Sequence, residues 1–251
     1  MIVFITGASA GFGAVIARQF VAAGHRVVIS GRRAERLEAL RNELGADRVH
    51  ALQFDVRERA QVEHAIASLP ADFAAIDVLV NNAGLALGLE PAQRAVLDDW
   101  DAMIDTNTKG LVYMTRALLP GMVARKRGHV INIGSVAGSW PYQGGNVYGA
   151  TKAFVRQFSL NLRTDLAGTQ VRVTNIEPGM VGGTEFSNVR FKGDDARAAQ
   201  VYEGVQALTP EDVSEAVFWV ANLPAHVNIN TLEMMPVAQS YAGLSVTRAA
   251  P

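Results

Sequence analysis

The chain opens with a βα unit that few folds other than a layered α/β sheet accommodate. Residues 1–6 read Met-Ile-Val-Phe-Ile-Thr, a β-branched and aromatic run of the kind that forms a buried strand. The run enters Gly7-Ala8-Ser9-Ala10-Gly11-Phe12-Gly13 without a spacer, and Ala14 to Phe20 then follows helical periodicity. Glycines let the backbone approach a ligand closely. The free N–H groups and dipole of a helix start favour an anion such as a pyrophosphate. The spacing is GxxxGxG rather than the GxGxxG dinucleotide fingerprint, and a glycine-rich turn without a ligand is the competing reading.

The alternation of strand and helix continues along the chain. Strand patterns fall at 26–30, 49–54, 76–80, 130–133 and 171–176, with an edge-strand candidate at 231–237. Helical patterns fall at 34–44, 57–69, about 98–126, 148 to about 166, and 210–222. Repeated βα units predict an α/β fold: one Rossmann-type, doubly wound parallel sheet of about seven strands with helices on both faces. No linker or repeat divides it, so residues 1–251 are expected to form a single domain. Residues 181–207 have weak periodicity and much Gly, Asp and Arg, and are expected to form a substrate loop.

Composition narrows the function. With 49% hydrophobic and 19% charged residues and a net charge of −1, nothing points to nucleic acid or a membrane as partner. The absence of cysteine excludes disulfides, thiolate catalysis and Cys-ligated zinc. Histidines 25, 50, 64, 129 and 226 lack metal-ligand spacing, so no metal is expected. A strand beginning at Met1 leaves no room for a signal peptide, and no apolar run reaches transmembrane length. A cytoplasmic location is expected.

The chemistry is concentrated in Tyr148-Gly149-Ala150-Thr151-Lys152, with Ser135 upstream. Tyr148 and Lys152 lie one helical turn apart on the same face. An ammonium there is expected to pull the phenol below its ordinary pKa of about 10. That would give a proton donor and acceptor suited to carbonyl reduction or alcohol oxidation. In open α/β sheets ligands bind outside the carboxyl ends of the strands. Gly7–Gly13, Arg32, Asp55, Asn81–Gly84, Ser135 and Pro178-Gly179 all follow predicted strand ends, although each of these residue types also forms turns.

Taken in order, TGASAGFG, Asn81-Asn82-Ala83-Gly84, Asn107, Ser135, YxxxK and Pro178-Gly179 resemble the short-chain dehydrogenase/reductase family over nearly the whole chain. The segments GSVAGSWPYQGGNVYGATKAFVRQFSLNLRTDL and GGTEFSNVRFKGDD are similar to the bacterial NADP-dependent 3-hydroxy acid dehydrogenases, which act on serine, allo-threonine and malonic semialdehyde. The resemblance implies a catalytic set of Ser135, Tyr148, Lys152 and Asn107. Asn107 would position a water that joins Lys152 to solvent, with a helix–helix polar contact as the alternative. It also implies cofactor contacts from Gly7, Ser9, Gly11, Phe12, Gly13, Asp55, Val56, Asn82, Ala83, Gly84, Tyr148, Lys152, Pro178, Gly179, Val181 and Thr184. Asp55-Val56 would flank the adenine, unless Asp55 caps the following helix. The family is usually tetrameric, and a homotetramer is expected. Residues 244–251 would fold over a neighbouring subunit or stay disordered.

Cofactor choice is read after the second strand, where Ser30-Gly31-Arg32-Arg33 carries no acid to hold a ribose 2′-hydroxyl. Two guanidiniums suit a 2′-phosphate through forked hydrogen bonds. NADP is therefore expected, held by Arg32 and Arg33. A small acidic substrate needs a partner for its carboxylate, and Arg190, between Gly182-Gly183 and Gly193, is the candidate. The competing use of Arg190 is a surface pair with Asp194 or Asp195. Ser135, Trp140, Gln143 and Tyr148 would complete the substrate pocket. Two other functions remain open at this point: a reductase of carrier-bound 3-oxoacyl groups, docked through Arg125-Lys126-Arg127, and a non-catalytic NADP-binding regulator.

Overall fold

The computed structural model describes residues 1–241; the 244–251 segment lies outside the described residues. Seven strands form one parallel sheet in the order β3-β2-β1-β4-β5-β6-β7. They are β1 (Ile2–Thr6), β2 (Arg26–Gly31), β3 (Val49–Gln53), β4 (Val78–Asn81), β5 (Gly128–Ile133), β6 (Val171–Pro178) and β7 (Thr231–Met234). Strand order reverses between β1 and β4, which opens a crevice above their carboxyl ends. The edge-strand candidate is realised as β7, shorter than expected and paired parallel to β6.

Alternate residues of each strand face opposite helical layers. Val3 and Ile5 of β1 join one core with Phe20, Leu37 and Val217, from α1 (Gly11–Ala22), α2 (Ala34–Leu44) and α10 (Pro210–Asn222). Phe4 joins the other with Val62, Met114, Leu118 and Leu162, from α3 (Arg59–Ala67), α6 (Leu111–Ala124) and α7 (Asn146–Asp165). Helix α10 starts where the sequence placed it because Thr209 and Asp212 form a capping box with Pro210 at the first helical position. The helix expected over 57–69 is shorter, with a separate turn, α4, at Ala71–Ala74 after Pro70.

The long helix expected over 98–126 is interrupted. Helix α5 (Leu97–Ile104) passes through a π-helical turn at Asp105–Gly110 before α6 begins. Such bulges cluster at functional sites because they displace a side chain from the regular helical lattice. Here the displaced stretch contains buried Asn107. Residues 181–207 hold two short helices, α8 (Phe186–Arg190) and α9 (Asp195–Gln200), so the excursion has structure of its own.

Candidate active site

The crevice at the strand reversal is a cavity of roughly 330 Å³. Gly7, Ser9, Gly11 and Phe12 line it after β1, Arg32 and Arg33 after β2, and Asp55 and Val56 after β3. Asn82, Ala83 and Gly84 line it after β4, Tyr148 and Lys152 from α7, and Thr184 from the excursion. Convergence of strand ends on one cleft is thus realised. Gly13 sits behind the turn: a Cβ there would lie 2.7 Å from both Asn82 Nδ2 and Gly7 O. Gly7 has φ +67°, and its Cβ would come 2.9 Å from Ala83 Cα. The glycines let the turn and the Asn82 loop nest against each other.

Whether a dinucleotide suits this cleft is decided by its donors. Among the described residues no side chain caps the start of α1, so the first N–H groups of a 12-residue helix remain available toward the glycine turn. Among the described residues no side chain pairs with the Arg32 guanidinium, which borders the cleft beside Asp55. Open N–H groups and an unpaired cation fit a phosphorylated dinucleotide. Arg33 is placed differently from the expectation of a second free arginine. Its Nε and Nη2 donate to Ser9 Oγ at 3.2 and 3.1 Å, and its Nη1 donates to Glu185 Oε2 at 2.9 Å. Asp55 does not cap α3. Burial raises its carboxyl pKa, but the Arg57 guanidinium and N–H outweigh that and hold it below the ordinary value.

Beside Tyr148, Ser135 precedes a 3₁₀ turn and accepts a hydrogen bond from the Ala137 N–H at 3.1 Å. Lys152 Nζ donates to Ile133 O at 2.8 Å and lies 5.8 Å from the Tyr148 ring centroid. Asn107 grips its surroundings through three bonds. Its Oδ1 accepts from Leu85 N, and its Nδ2 donates to Leu85 O and Thr151 Oγ1. It therefore ties the π turn to the helix of Tyr148 and Lys152.

The expectation that the Tyr148 phenol lies below its ordinary pKa of about 10 is corrected. Tyr148 is 8% exposed, and burial raises its phenol to about 12, against opposing effects of Ser135 and Arg190. Burial likewise lowers the Lys152 ammonium to about 8. Desolvation outweighs the ammonium because the lysine is bonded to a backbone carbonyl rather than to the phenol oxygen.

Arg190 does not pair with Asp194 or Asp195. Its Nη2 donates to Tyr142 OH at 2.6 Å, its Nε donates to Gly88 O at 3.2 Å, and its guanidinium lies 5.7 Å from the Tyr148 ring centroid. Lys192 instead pairs with Asp99 at 2.9 Å. Trp140 turns away from the cleft: its indole donates to Glu233 at 3.0 Å and its ring lies 4.3 Å from that of Tyr241. Gln143 is exposed and lines no part of the cleft. Pro178, Gly179 and Val181 also lie outside the lining, as do Ser135, Asn107 and Arg190. Pro178 O accepts from the Ser135 hydroxyl at 3.5 Å, Gly179 N donates to Met234 O, and Val181 bridges to Leu208. Thr106, Glu185, Phe186 and Val189 line the cleft although the sequence did not single them out. Their only signal was proximity to Asn107 and to Thr184.

Of the basic cluster Arg125-Lys126-Arg127, Arg125 donates to Ile76 O and Arg127 pairs with Asp77. Among the described residues no group of three metal-ligating side chains occurs, and no helix is long and apolar enough to cross a membrane.

Known proteins match this chain along its length. The short chain dehydrogenase family matches residues 1–195. An NADP-dependent 3-hydroxy acid dehydrogenase of Escherichia coli strain K12 is 71% identical over 248 residues, covering 99% of this chain and 100% of that protein. A serine 3-dehydrogenase of Agrobacterium fabrum is 53% identical over 246 residues, covering 98% of each. The closed form of a serine dehydrogenase complexed with NADP+ superposes with a TM-score of 0.98 at 71% identity, over 99% of this chain and 100% of that one. With its strand order, its glycine turn, Tyr148 and Lys152 in one cleft and Ser135 beside Tyr148, this chain belongs to the short-chain dehydrogenase family.

Proposed function

We propose that the protein is an NADP-dependent oxidoreductase that interconverts small 3-hydroxy acids, such as serine, allo-threonine or 3-hydroxypropionate, with their 3-oxo forms. The observation that carries the substrate class is the position of Arg190 beside the Tyr148 ring, where a cation can hold a carboxylate next to the proton donor. The named relatives are a 3-hydroxy acid dehydrogenase, a serine 3-dehydrogenase and a serine dehydrogenase complexed with NADP+.

The roles follow from position. The N–H groups that open α1 would take the pyrophosphate, with Gly7, Gly11, Phe12 and Gly13 shaping the turn. Arg32 would take the 2′-phosphate, Asp55 and Val56 would flank the adenine, and Asn82, Ala83, Gly84 and Thr184 would border the remaining cofactor. NADP, when bound, supplies the nicotinamide that exchanges the hydride. In reduction, the neutral Tyr148 phenol gives its proton to the substrate carbonyl oxygen while Ser135 holds that oxygen and its growing charge. In oxidation the phenolate takes the proton back from the hydroxyl. Lys152, still largely an ammonium at neutral pH, stabilises the phenolate electrostatically, and Asn107 holds Thr151 and thereby the Tyr148 turn in place. The 181–207 loop closes the pocket over these groups.

The test is a panel of hydroxy acids and neutral alcohols with NADP. Arg190→Met is expected to raise KM for the acids by about tenfold to a hundredfold, the scale of a lost charge-assisted bond. An equal change for neutral alcohols would refute the carboxylate role. The carrier-bound alternative is disfavoured because two members of its basic cluster are committed to Ile76 and Asp77. We also infer a cytoplasmic homotetramer. Phe154 and Leu160 on α7 and Leu97 and Ile104 on α5 expose apolar side chains that a partner subunit would cover. Light scattering that found a monomer at micromolar concentration would overturn this.

A further inference from the structure

Two arginines follow β2, and the structure gives them different surroundings. Arg32 borders the cleft with no paired side chain among the described residues, whereas Arg33 is committed. The committed arrangement centres on Glu185. Its Oε2 accepts from Arg33 Nη1 at 2.9 Å, and its Oε1 accepts from Arg36 Nη1 at 2.7 Å. One carboxylate is thus shared between two guanidiniums on a single helical face, because residues 33 and 36 are three apart at the start of α2. The hydrogen bonds from Arg36 and Arg33 hold the Glu185 carboxyl below its ordinary pKa. Arg33 also donates to Ser9, so one contact set links the glycine turn, the start of α2 and the loop that continues directly into α8.

Helix α8 runs from Phe186 to Arg190 and therefore carries the arginine assigned to the substrate. Its far end is held by Arg190 to Gly88 O and by Lys192 to Asp99. The near end is held by Glu185. Arg33 and Glu185 both line the cofactor cleft, so their pairing spans its rim.

We propose that Glu185 is a positioning residue that clasps the substrate loop to Arg33 and Arg36 across the cofactor cleft. Arg32 thereby carries the selection for a 2′-phosphate, and Arg33 carries loop closure. The clasp makes cofactor residence and the placement of Arg190 depend on one carboxylate. It acts through the loop, so it operates with either nicotinamide dinucleotide. The inference rests on the cofactor and substrate reading above.

The test uses the full chain with Glu185→Gln, Arg36→Gln and the double variant. Arg36 lies outside the cofactor cleft lining, so its removal leaves the direct cofactor contacts in place. Stopped-flow fluorescence would follow release of NADPH and of NADH. Steady-state assays would separate KM for the hydroxy acid from kcat. Both ion pairs are partly exposed, so Glu185→Gln is expected to speed release of both dinucleotides and raise KM by about two- to tenfold, with kcat preserved or increased. Arg36→Gln should give a smaller change of the same kind, and the double variant should match Glu185→Gln alone because the shared contact is already lost.

Release and KM at wild-type values in Glu185→Gln, or additive effects in the double variant, would overturn the clasp. A change confined to NADPH would do the same, since it would place Glu185 in phosphate recognition instead. The underlying reading fails separately: it would be lost if Arg32 variants kept full NADP preference, whatever Glu185 does.

Discussion

Lys152 should be a liability to the fold and a requirement for the reaction, and replacing it separates the two. The residue is 7% exposed, and its pKa falls from the ordinary 10.5 to about 8 because burial disfavours the charge. That gap of about two and a half pH units costs the folded state roughly 3 kcal/mol at neutral pH, at about 1.4 kcal/mol per unit. Methionine has nearly the same volume and no charge, so Lys152→Met removes the cost without opening a cavity. The bond to Ile133 O is lost too, which offsets part of the gain. We expect a net gain of about 1–3 kcal/mol at pH 7 after allowing for that bond. The sign with pH is fixed. Below pH 8 the lysine is charged in both folded and unfolded chains, and the cost is fully present. Between about 8 and 10.5 the unfolded chain binds more protons, so wild-type stability rises toward the variant and the gap closes. Urea unfolding of both proteins without cofactor, at fixed protein concentration and several pH values from 7 to about 10.5, measures the gap. A variant less stable than wild type at pH 7, or a gap that does not shrink with rising pH, would refute the reasoning. Turnover should be lost in the variant regardless of its stability.

The remaining expectations concern the proton and the cofactor. Tyr148→Phe should reduce kcat by about a hundredfold to ten-thousandfold, the usual worth of a positioned acid or base, with NADP affinity largely unchanged in equilibrium titrations. Near-normal kcat would remove Tyr148 from the mechanism. Arg32→Asp should erode the preference for NADP over NAD by about tenfold to a hundredfold in kcat/KM, the scale of a charge-assisted contact replaced by repulsion. A variant that kept its preference would show that the phosphate is read elsewhere.

The fold was legible in the sequence wherever burial writes itself into residue pattern. The apolar runs of β1, β2 and β4 could only be strands buried on both faces, and their order with intervening helices implied the parallel sheet. The cleft followed, because ligand loops gather at strand ends. The π turn at Asp105–Gly110 was not legible: nothing in the local residue types distinguishes it from continuing α-helix, and the bonds of Asn107 to Leu85 and Thr151 join segments distant in sequence. Trp140 was expected in the substrate wall because it follows Ser135 closely. The 3₁₀ turn at Val136–Gly138 reverses the chain instead and carries the indole to Glu233 on β7. Glu185 was invisible as a partner of Arg33 because the two are 152 residues apart, and nothing local in either segment calls for the other.

The Tyr148 pKa departs from the sequence expectation for a reason that bears on the mechanism. Spacing on a helix reveals which groups are neighbours but not how much water reaches them. In this cleft desolvation moves phenol and ammonium toward neutrality together, to about 12 and about 8. The neutral phenol is then the resting acid at neutral pH, ready for reduction. Oxidation starts from the phenolate, and the same low-dielectric surroundings that make it costly strengthen its attraction to the nearby ammonium and to Arg190. Each charge is expensive alone and less so in company. Loading the site with an anionic substrate beside Arg190, or making Tyr148 anionic, therefore relieves part of the strain that the unliganded fold carries. That coupling is why one buried lysine can cost stability and still be required for turnover.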